Sequence, residues 1–564
     1  MIAIYIDKDL SRFFGRITYT VDLVFRTLGY EYKYIRKLSD LGEHDILLYY
    51  SLICPSEKEA YILALNRILV FIPFAAELYL GSAIDPNRVI NSLQELKYRM
   101  PVPVFSDSDP ELVPQVIRRT DLYYILFTFD FFANIFFQVT GGRELLEKAV
   151  SGSGNNNPAL IRLRSYDVIP CVNLLLDFLG KTFSHAAGEF GHSLLLRKKI
   201  WPYGTQAVGC IGHQVDSLQK WKFPGIITSL LSDLLYLYRI KYIGRRLWSR
   251  LVYLLTNIEE YWNFDRISEL EKVFNTTSTF YISTSATPVC DYSINDEELN
   301  ISIEKLLESG KDLALLVNWE KEKNDSFSIR KTELEKSFKL NDCGICFTGS
   351  LPSIRIRSEL LNKYGFLFHY NSGSEKSLSI QRGMAFPYYE HYESQEELPG
   401  SEFFRKKYCL EIPVLFSDRQ LLMSPGKYPD YEYIRRKLFI LLENVMKCGG
   451  LFSLQFSFSN FTDIFYLEKL YHGVLTKLRD DGVLIMDQTS LARWWKSREA
   501  VVIEENPDGI KIYVPYDIDG LSLDLYGRMT ENLRLPGNVK KINNMLLFSF
   551  LKADSTIRIE FERK

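Results

Sequence analysis

From residue 207 to about residue 497, eight short apolar runs recur with helical stretches between them, at 207–211, 278–283, 312–317, 344–348, 366–370, 410–416, 451–456 and 483–486. The intervening apolar positions keep helical spacing, as in Ile267/Leu270/Val273/Phe274 and Ile434/Leu438/Leu441/Leu442/Val445. Strand and helix alternating that many times leave few architectures, and a β/α barrel is the expected one.

The flanks read differently. Residues 1–182 carry apolar runs at 2–6, 46–50, 68–72 and 102–105, a helical pattern at 21–28, an amphipathic stretch at 122–139, a Gly/Ser/Asn loop at 152–157 and a helical run at 170–179. That is an α/β domain in outline. Residues 183–204, with His185 and His192, are expected to be a linker, and 205–498 the barrel. The last part, 499–564, shows short β-prone runs between Asn, Asp, Gly and Pro, the pattern of a small β-rich domain. The fold class is therefore α/β.

Composition excludes several functions. With 68 basic and 70 acidic residues well mixed, net charge −2, no basic footprint points to nucleic acid. Eight scattered cysteines make no disulfide framework, and Cys343-Gly-Ile-Cys346 lacks a second half, so both are expected as buried thiols. The first residues lack the plan of a signal peptide, and the apolar runs at 68–76 and 123–139 are too short or are broken by Asp130 and Asn134. A cytoplasmic protein without a transmembrane segment is expected. The aromatic and apolar region 218–264 carries Lys241, Arg245, Arg246 and Arg250, and is expected to pack over the barrel.

The first barrel run ends Ala207-Val-Gly-Cys-Ile-Gly-His-Gln-Val-Asp-Ser217. Side chains just past the carboxyl end of such a strand face the crevice where ligands bind, which nominates His213, Gln214 and Asp216. The segment resembles the first motif of the polysaccharide deacetylase (NodB-homology) superfamily, where a Thr-His-Asp-x-Asp-Ser pattern supplies a general base and then a metal ligand. By that resemblance Asp216 keeps the ligand position and Gln214 replaces the base. An amide takes up no proton at neutral pH, and a positioned base contributes ~10²–10⁴ in rate.

The resemblance extends over roughly 207–498. Its packing residues persist in Tyr364-Gly-Phe366, Arg382-Gly-Met-Ala-Phe-Pro-Tyr388, Leu410-Glu-Ile-Pro-Val-Leu-Phe416 with Asp418, and Trp494-Trp495 with Arg498. Its chemistry does not. The two ligand histidines would fall at Leu316 and Glu320, the acid-assisting histidine at Ser457, and the Arg-x-His-x-x-Arg pattern is reduced to Arg355 and Arg357. Residues 130–137 and 169–176 are similar to the uncharacterised amino-terminal region of the same branch.

Scaffold retained with chemistry lost implies a catalytically inactive deacetylase-like protein, a pseudoenzyme of bacterial surface-polysaccharide metabolism. It would bind a glycan or glycan precursor, with polysaccharide-biosynthesis proteins as candidate partners. The expected contacts are His213, Gln214, Asp216, Asn318, Trp319, Arg355, Arg382 and Asp418, with no metal or other cofactor. The alternative is an active carbohydrate deacetylase with a rebuilt site, in which His213, Asp216 and Glu320 act catalytically with zinc or another divalent metal.

Overall fold

The computed structural model describes residues 1–42, 46–81, 85–106, 112–119, 122–151, 157–190, 195–220, 251, 253–256, 259–287, 290–319, 326–349, 354–371, 378–390, 409–421, 430–506, 508–527 and 533–561. The amino-terminal strands are β1 (Ile2–Ile6), β2 (Tyr32–Ile35), β3 (Ile46–Ser51), β4 (Ile68–Pro73), β5 (Leu93–Lys97), β6 (Pro101–Phe105), β7 (Gln115–Arg119) and β8 (Leu122–Leu126). Six of them form one sheet in the order β2-β1-β3-β4-β8-β7, parallel except for the β7–β8 pair, while β5 and β6 form a separate antiparallel hairpin.

The stretch 122–139 is not one amphipathic element, because Asp130 divides it. Strand β8 ends before it, and its carboxylate caps the helix Phe131–Val139 by accepting the Ala133 N–H at 2.8 Å. The same carboxylate accepts the Tyr50 hydroxyl at 2.6 Å and the Ala75 N–H at 2.7 Å. A helix Cys171–Phe190 follows and buries Leu174, Leu175, Leu179 and Phe183. Residues 183–190 are thus its last turns, not linker, and β9 (Leu195–Lys198) joins a sheet at the other end of the chain. His185 is on the surface of that helix beside Glu189, and His192 lies outside the described residues.

All eight apolar runs of the central region are strands: β10 (Val208–Gln214), β11 (Thr279–Ile282), β12 (Asp312–Asn318), β13 (Ile345–Thr348), β14 (Phe368–Asn371), β15 (Leu410–Pro413) continuing as β16 (Phe416–Ser417), β17 (Leu451–Ser457) and β18 (Leu484–Ile485). They pair in parallel in the order β15-β14-β13-β12-β11-β10-β17-β16, with β18 on β10. This is a curled parallel half-barrel, open between β15 and β16. The split at 414–415 lets one apolar run supply both edges of the opening.

A segment at 378–390 spans that opening. Leu451 donates to the Ala385 carbonyl at 2.7 Å on one side, and Tyr388 bridges Glu411 on the other. It also grips the amino-terminal unit, since Ile380 donates to Asp167, Ala385 to the Asn173 side chain at 2.7 Å, and the Tyr19 hydroxyl to the Tyr389 carbonyl at 2.8 Å.

The carboxy-terminal strands are β19 (Val502–Asn506), β20 (Gly509–Val514), β21 (Ser522–Tyr526), β22 (Leu533–Arg534), β23 (Val539–Ile542), β24 (Met545–Phe548) and β25 (Ser555–Phe561). Two four-stranded sheets, β19-β20-β25-β22 and β23-β24-β21-β9, bury Ile510, Ile512, Leu523, Leu546 and Ile559 between them. Among the described residues no helix is long and apolar enough to cross a membrane.

Candidate functional site

Strand alternation decides which residues of the central motif reach the barrel interior. Gly212 faces inward: a Cβ there would meet Tyr281 and Tyr370 at 2.8 Å, and those rings stack across the lumen at 5.4 Å. Gln214 has the same parity and also points inward, and the ladder sets it beside Ser457 of β17. His213 necessarily points the other way. It is fully buried behind the sheet among Phe280, Phe456, Phe461 and Tyr471, with Nε2 2.8 Å from Glu271. His213 is therefore no ligand contact at the mouth.

At the carboxyl end of the lumen, the Gln214 and Gln455 amides both donate to the Cys346 sulfur, at 3.0 and 3.2 Å. Each leaves its carboxamide oxygen buried without a partner among the described residues. Reversing either amide does not help. The single S–H satisfies one oxygen and strands the NH₂ of the same side chain, so two polar ends stay unpaired in every arrangement. Burial also pushes the Cys346 thiol up to about 12, which leaves it protonated and inert as a nucleophile.

Above this floor lie two carboxyl groups. Asp216 is half-buried and accepts both the N–H (3.1 Å) and the hydroxyl (2.7 Å) of Ser459, so neither oxygen is idle. Asp418 is fully buried at the end of β16 and accepts the Ser457 N–H at 2.8 Å. Arg419 donates to the Ser457 hydroxyl at 3.3 Å. Desolvation raises both acids, Asp418 to about 7, with the Ser457 N–H and Arg419 opposing and the nearby Asp216 charge reinforcing the shift. Across the mouth Asn318 donates to the Thr348 hydroxyl at 3.1 Å.

The remaining expected contacts scatter. Trp319 turns outward against Phe327 and Phe347, in the layer between the sheet and the helix Ser326–Phe338. Leu316 is buried in the core and offers no donor, while Glu320 and the Arg355 side chain lie outside the described residues. Arg382 sits on the spanning segment, not in the lumen. Its guanidinium bonds Glu390 at 2.7 Å and the Tyr388 hydroxyl at 2.7 Å, and its backbone N–H bonds Glu144 at 2.9 Å. The structure thus gathers Gln214, Asp216, Asn318 and Asp418 at the mouth, and adds Cys346, Gln455, Ser459 and Arg419. A parity count along β13 and β17 is the signal that would have found Cys346 and Gln455.

One buried group has the residue types of a metal centre: His369, Glu390 and Glu411, on the outer face of the half-barrel. Arg357 and Arg382 already pair with Glu390 there, and both lie within 4 Å of Glu411. Two guanidinium groups already supply at least as much positive charge as the two carboxyl groups can offset, so a divalent cation would leave excess buried positive charge. The cluster reads as an ion-pair network that holds the spanning segment.

No family model matches the chain, and no curated protein matches it. Six chains of solved structures do. One, the crystal structure of a presumed polysaccharide deacetylase from Mycobacterium smegmatis, is 14% identical with a TM-score of 0.33, over 52% of this chain and 91% of that one. That is a distant likeness.

Asp418 gives the site a pH signature. Its folded value of about 7 lies above the ordinary carboxyl value of ~3.9, so its stabilising contribution is complete below ~4 and is lost as pH rises toward 7. Asp418→Asn is expected to flatten the decline in stability between those limits by up to about 4 kcal/mol. Denaturant unfolding of both proteins across that range measures the difference, and parallel curves would refute the assignment. Asp130 and Asp312, also raised to about 7, and Glu411, raised to about 8, cancel in the comparison.

Proposed function

We propose that the barrel mouth binds a neutral polyhydroxylated ligand, a glycan or glycan precursor, and does not deacetylate it. The observation that carries this reading is the pair of unpaired carboxamide ends on Gln214 and Gln455 at a buried floor. A buried polar group without a partner costs ~1–3 kcal/mol, and sugar hydroxyls, which both donate and accept, relieve it. The donor set is a poor match for a catalytic metal: Leu316, at a ligand position of the resemblance, has no donor atom, and both Asp216 oxygens are engaged by Ser459, while the base and acid-assisting positions hold Gln214 and Ser457. A place in surface-polysaccharide metabolism rests on the sequence resemblance alone.

Calorimetric titration with cellohexaose, chitohexaose and their acetylated and deacetylated forms tests the proposal. Gln214→Met with Gln455→Met, close in shape but apolar, is expected to weaken binding at least ~10-fold while leaving stability equal or higher. Undiminished affinity in the double variant, or no binding by the parent chain, would sink it.

A second reading is favoured by Asp418, a buried acid at about 7 with Asp216 beside it, which is how a general acid is often held. On that reading the chain is a hydrolase with a rebuilt site. Acetate release from an acetylated oligosaccharide that disappears in Asp418→Asn would establish it.

A further inference from the structure

Arg419 stands at the barrel mouth with most of its hydrogen-bonding capacity unused. It follows Asp418 in the 3-10 turn Asp418–Leu421, and its half-buried guanidinium donates from Nε to the Ser457 hydroxyl at 3.3 Å. Ser457 is the ladder partner of Gln214, so that bond holds the guanidinium beside the floor. Burial raises the acids of Asp216, Asp418 and Cys346, and the Arg419 charge opposes the rise at each of them, which places the group among all three.

A guanidinium carries five N–H donors in a flat fork, and the Ser457 bond engages one of them. The neighbouring acids have other donors: Asp216 takes the N–H and the hydroxyl of Ser459, and Asp418 takes the N–H of Ser457. Among the described residues no carboxylate lies within 4 Å of Arg419. Anchoring at Nε leaves the two Nη groups side by side in one plane for a ligand.

We propose that Arg419 determines which sugar the mouth takes, by holding two neighbouring hydroxyls of one ring on its Nη groups. This rests on the glycan reading and sharpens it to a class: a hexose unit with a free vicinal diol, as in an unsubstituted β-1,4-linked glucan. Inside such a chain the C2 and C3 hydroxyls are the free vicinal pair, and both oxygens accept. A 2-acetamido unit has an amide nitrogen at C2, which donates and does not accept, so N–H would meet N–H at the fork. A uronate suits the shape of the fork but brings a second negative charge up to Asp216. Hydroxyls satisfy the fork without that repulsion, and the same ring can pair the open carboxamide ends of Gln214 and Gln455.

Calorimetric titration of the full chain with cellohexaose, chitohexaose and hexagalacturonate is the test, repeated with Arg419→Lys. The parent is expected to bind cellohexaose at least ~10-fold more tightly than either of the others. Lysine keeps a positive charge between the two acids but offers one ammonium in place of the fork, and is expected to bring that preference below ~3-fold. Equal binding of cellohexaose and chitohexaose by the parent, or tighter binding of chitohexaose, overturns the assignment and leaves the glycan reading standing. So does a preference that lysine preserves, since charge balance and not the fork would then be the role of Arg419. Tighter binding of hexagalacturonate overturns it by giving the fork to a carboxylate. Failure of all three to bind removes the glycan reading and the assignment with it. The parent's order of affinities decides even if the lysine variant does not fold.

Discussion

Arg498→Ala is expected to destabilise the chain by about 4 kcal/mol or more and to lower its soluble yield sharply. Arg498 is fully buried, yet no carboxylate is its principal partner. Its guanidinium donates to four backbone carbonyls: Arg26 at 3.1 Å and Thr27 at 3.0 Å, at the end of the helix Phe14–Leu28, together with Lys198 at 3.1 Å and Lys199. The last turn of a helix leaves carbonyls without intrahelical donors and carries partial negative charge, so a cation there satisfies both needs. Burial lowers the guanidinium to about 10, which still leaves it charged at neutral pH.

Three parts of the molecule meet on this side chain. The helix belongs to the first sheet, Lys198 to β9 of the last one, and Arg498 to the helix Gln488–Ala500 that follows the half-barrel. The approach is close enough that Gly29, at φ +82°, has the Lys198 carbonyl 2.2 Å from where a Cβ would sit. Alanine at 498 leaves four carbonyls competing for whatever water can enter. Lysine reaches fewer of them and is expected to recover part of the loss. The first transition in a denaturant titration is the measurement, and an alanine variant within about 1 kcal/mol of the parent would show that the junction does not depend on this side chain.

Strands are legible wherever the apolar run is short and both faces are buried, as at 207–211, because burial on two sides writes a continuous apolar run. Contacts that depend on distant segments are not. The parity of one strand separates His213 from Gln214, and a motif read as a unit hides that the two point in opposite directions. Trp319 looked available because it follows a strand end, but Phe327, from the next helix, gives it an apolar wall. Arg382 reads as a pocket residue, but its guanidinium turns back on Tyr388 and Glu390 of its own segment, and its backbone N–H meets Glu144 of a distant helix, a contact no local pattern announces. Residues 183–190 read as linker because His185 and Gly188 interrupt the apolar spacing, although Phe183, Ala186, Ala187 and Phe190 keep a helical face buried. Of the candidate site, Gln214, Asp216, Asn318 and Asp418 are visible in the sequence as strand-end residues, whereas Cys346 and Gln455 are hidden inside runs that look merely apolar.

The second large effect is expected behind the sheet. Glu271→Gln should cost ~3–5 kcal/mol, because it removes the one negative charge from a group that is closed to water. The Glu271 carboxylate is fully buried and accepts four donors: His213 at 2.8 Å and the Tyr471 hydroxyl at 2.6 Å on one oxygen, the Ser278 hydroxyl at 2.9 Å and the Lys311 ammonium on the other. Burial alone would raise its pKa, but the hydrogen bond and charge of His213 and the charge of Lys311 outweigh it and bring the group down to about 2. The folded value lies below the ordinary ~4.3, so the stabilisation is complete above that pH and is lost as the solution is acidified toward 2. Neutralising Glu271 strands Lys311, whose remaining bond is to the Thr276 carbonyl at 2.7 Å. Adding Lys311→Met to Glu271→Gln removes the stranded charge as well and is expected to restore much of the loss, since replacing a whole buried pair is far cheaper than breaking it. Acid unfolding followed for the parent, the single and the double variant decides the matter. Full additivity of the two substitutions would mean that the ion pair is not the coupling element, and that His213, held by aromatic packing alone, fixes the inward aim of Gln214 without help from Glu271.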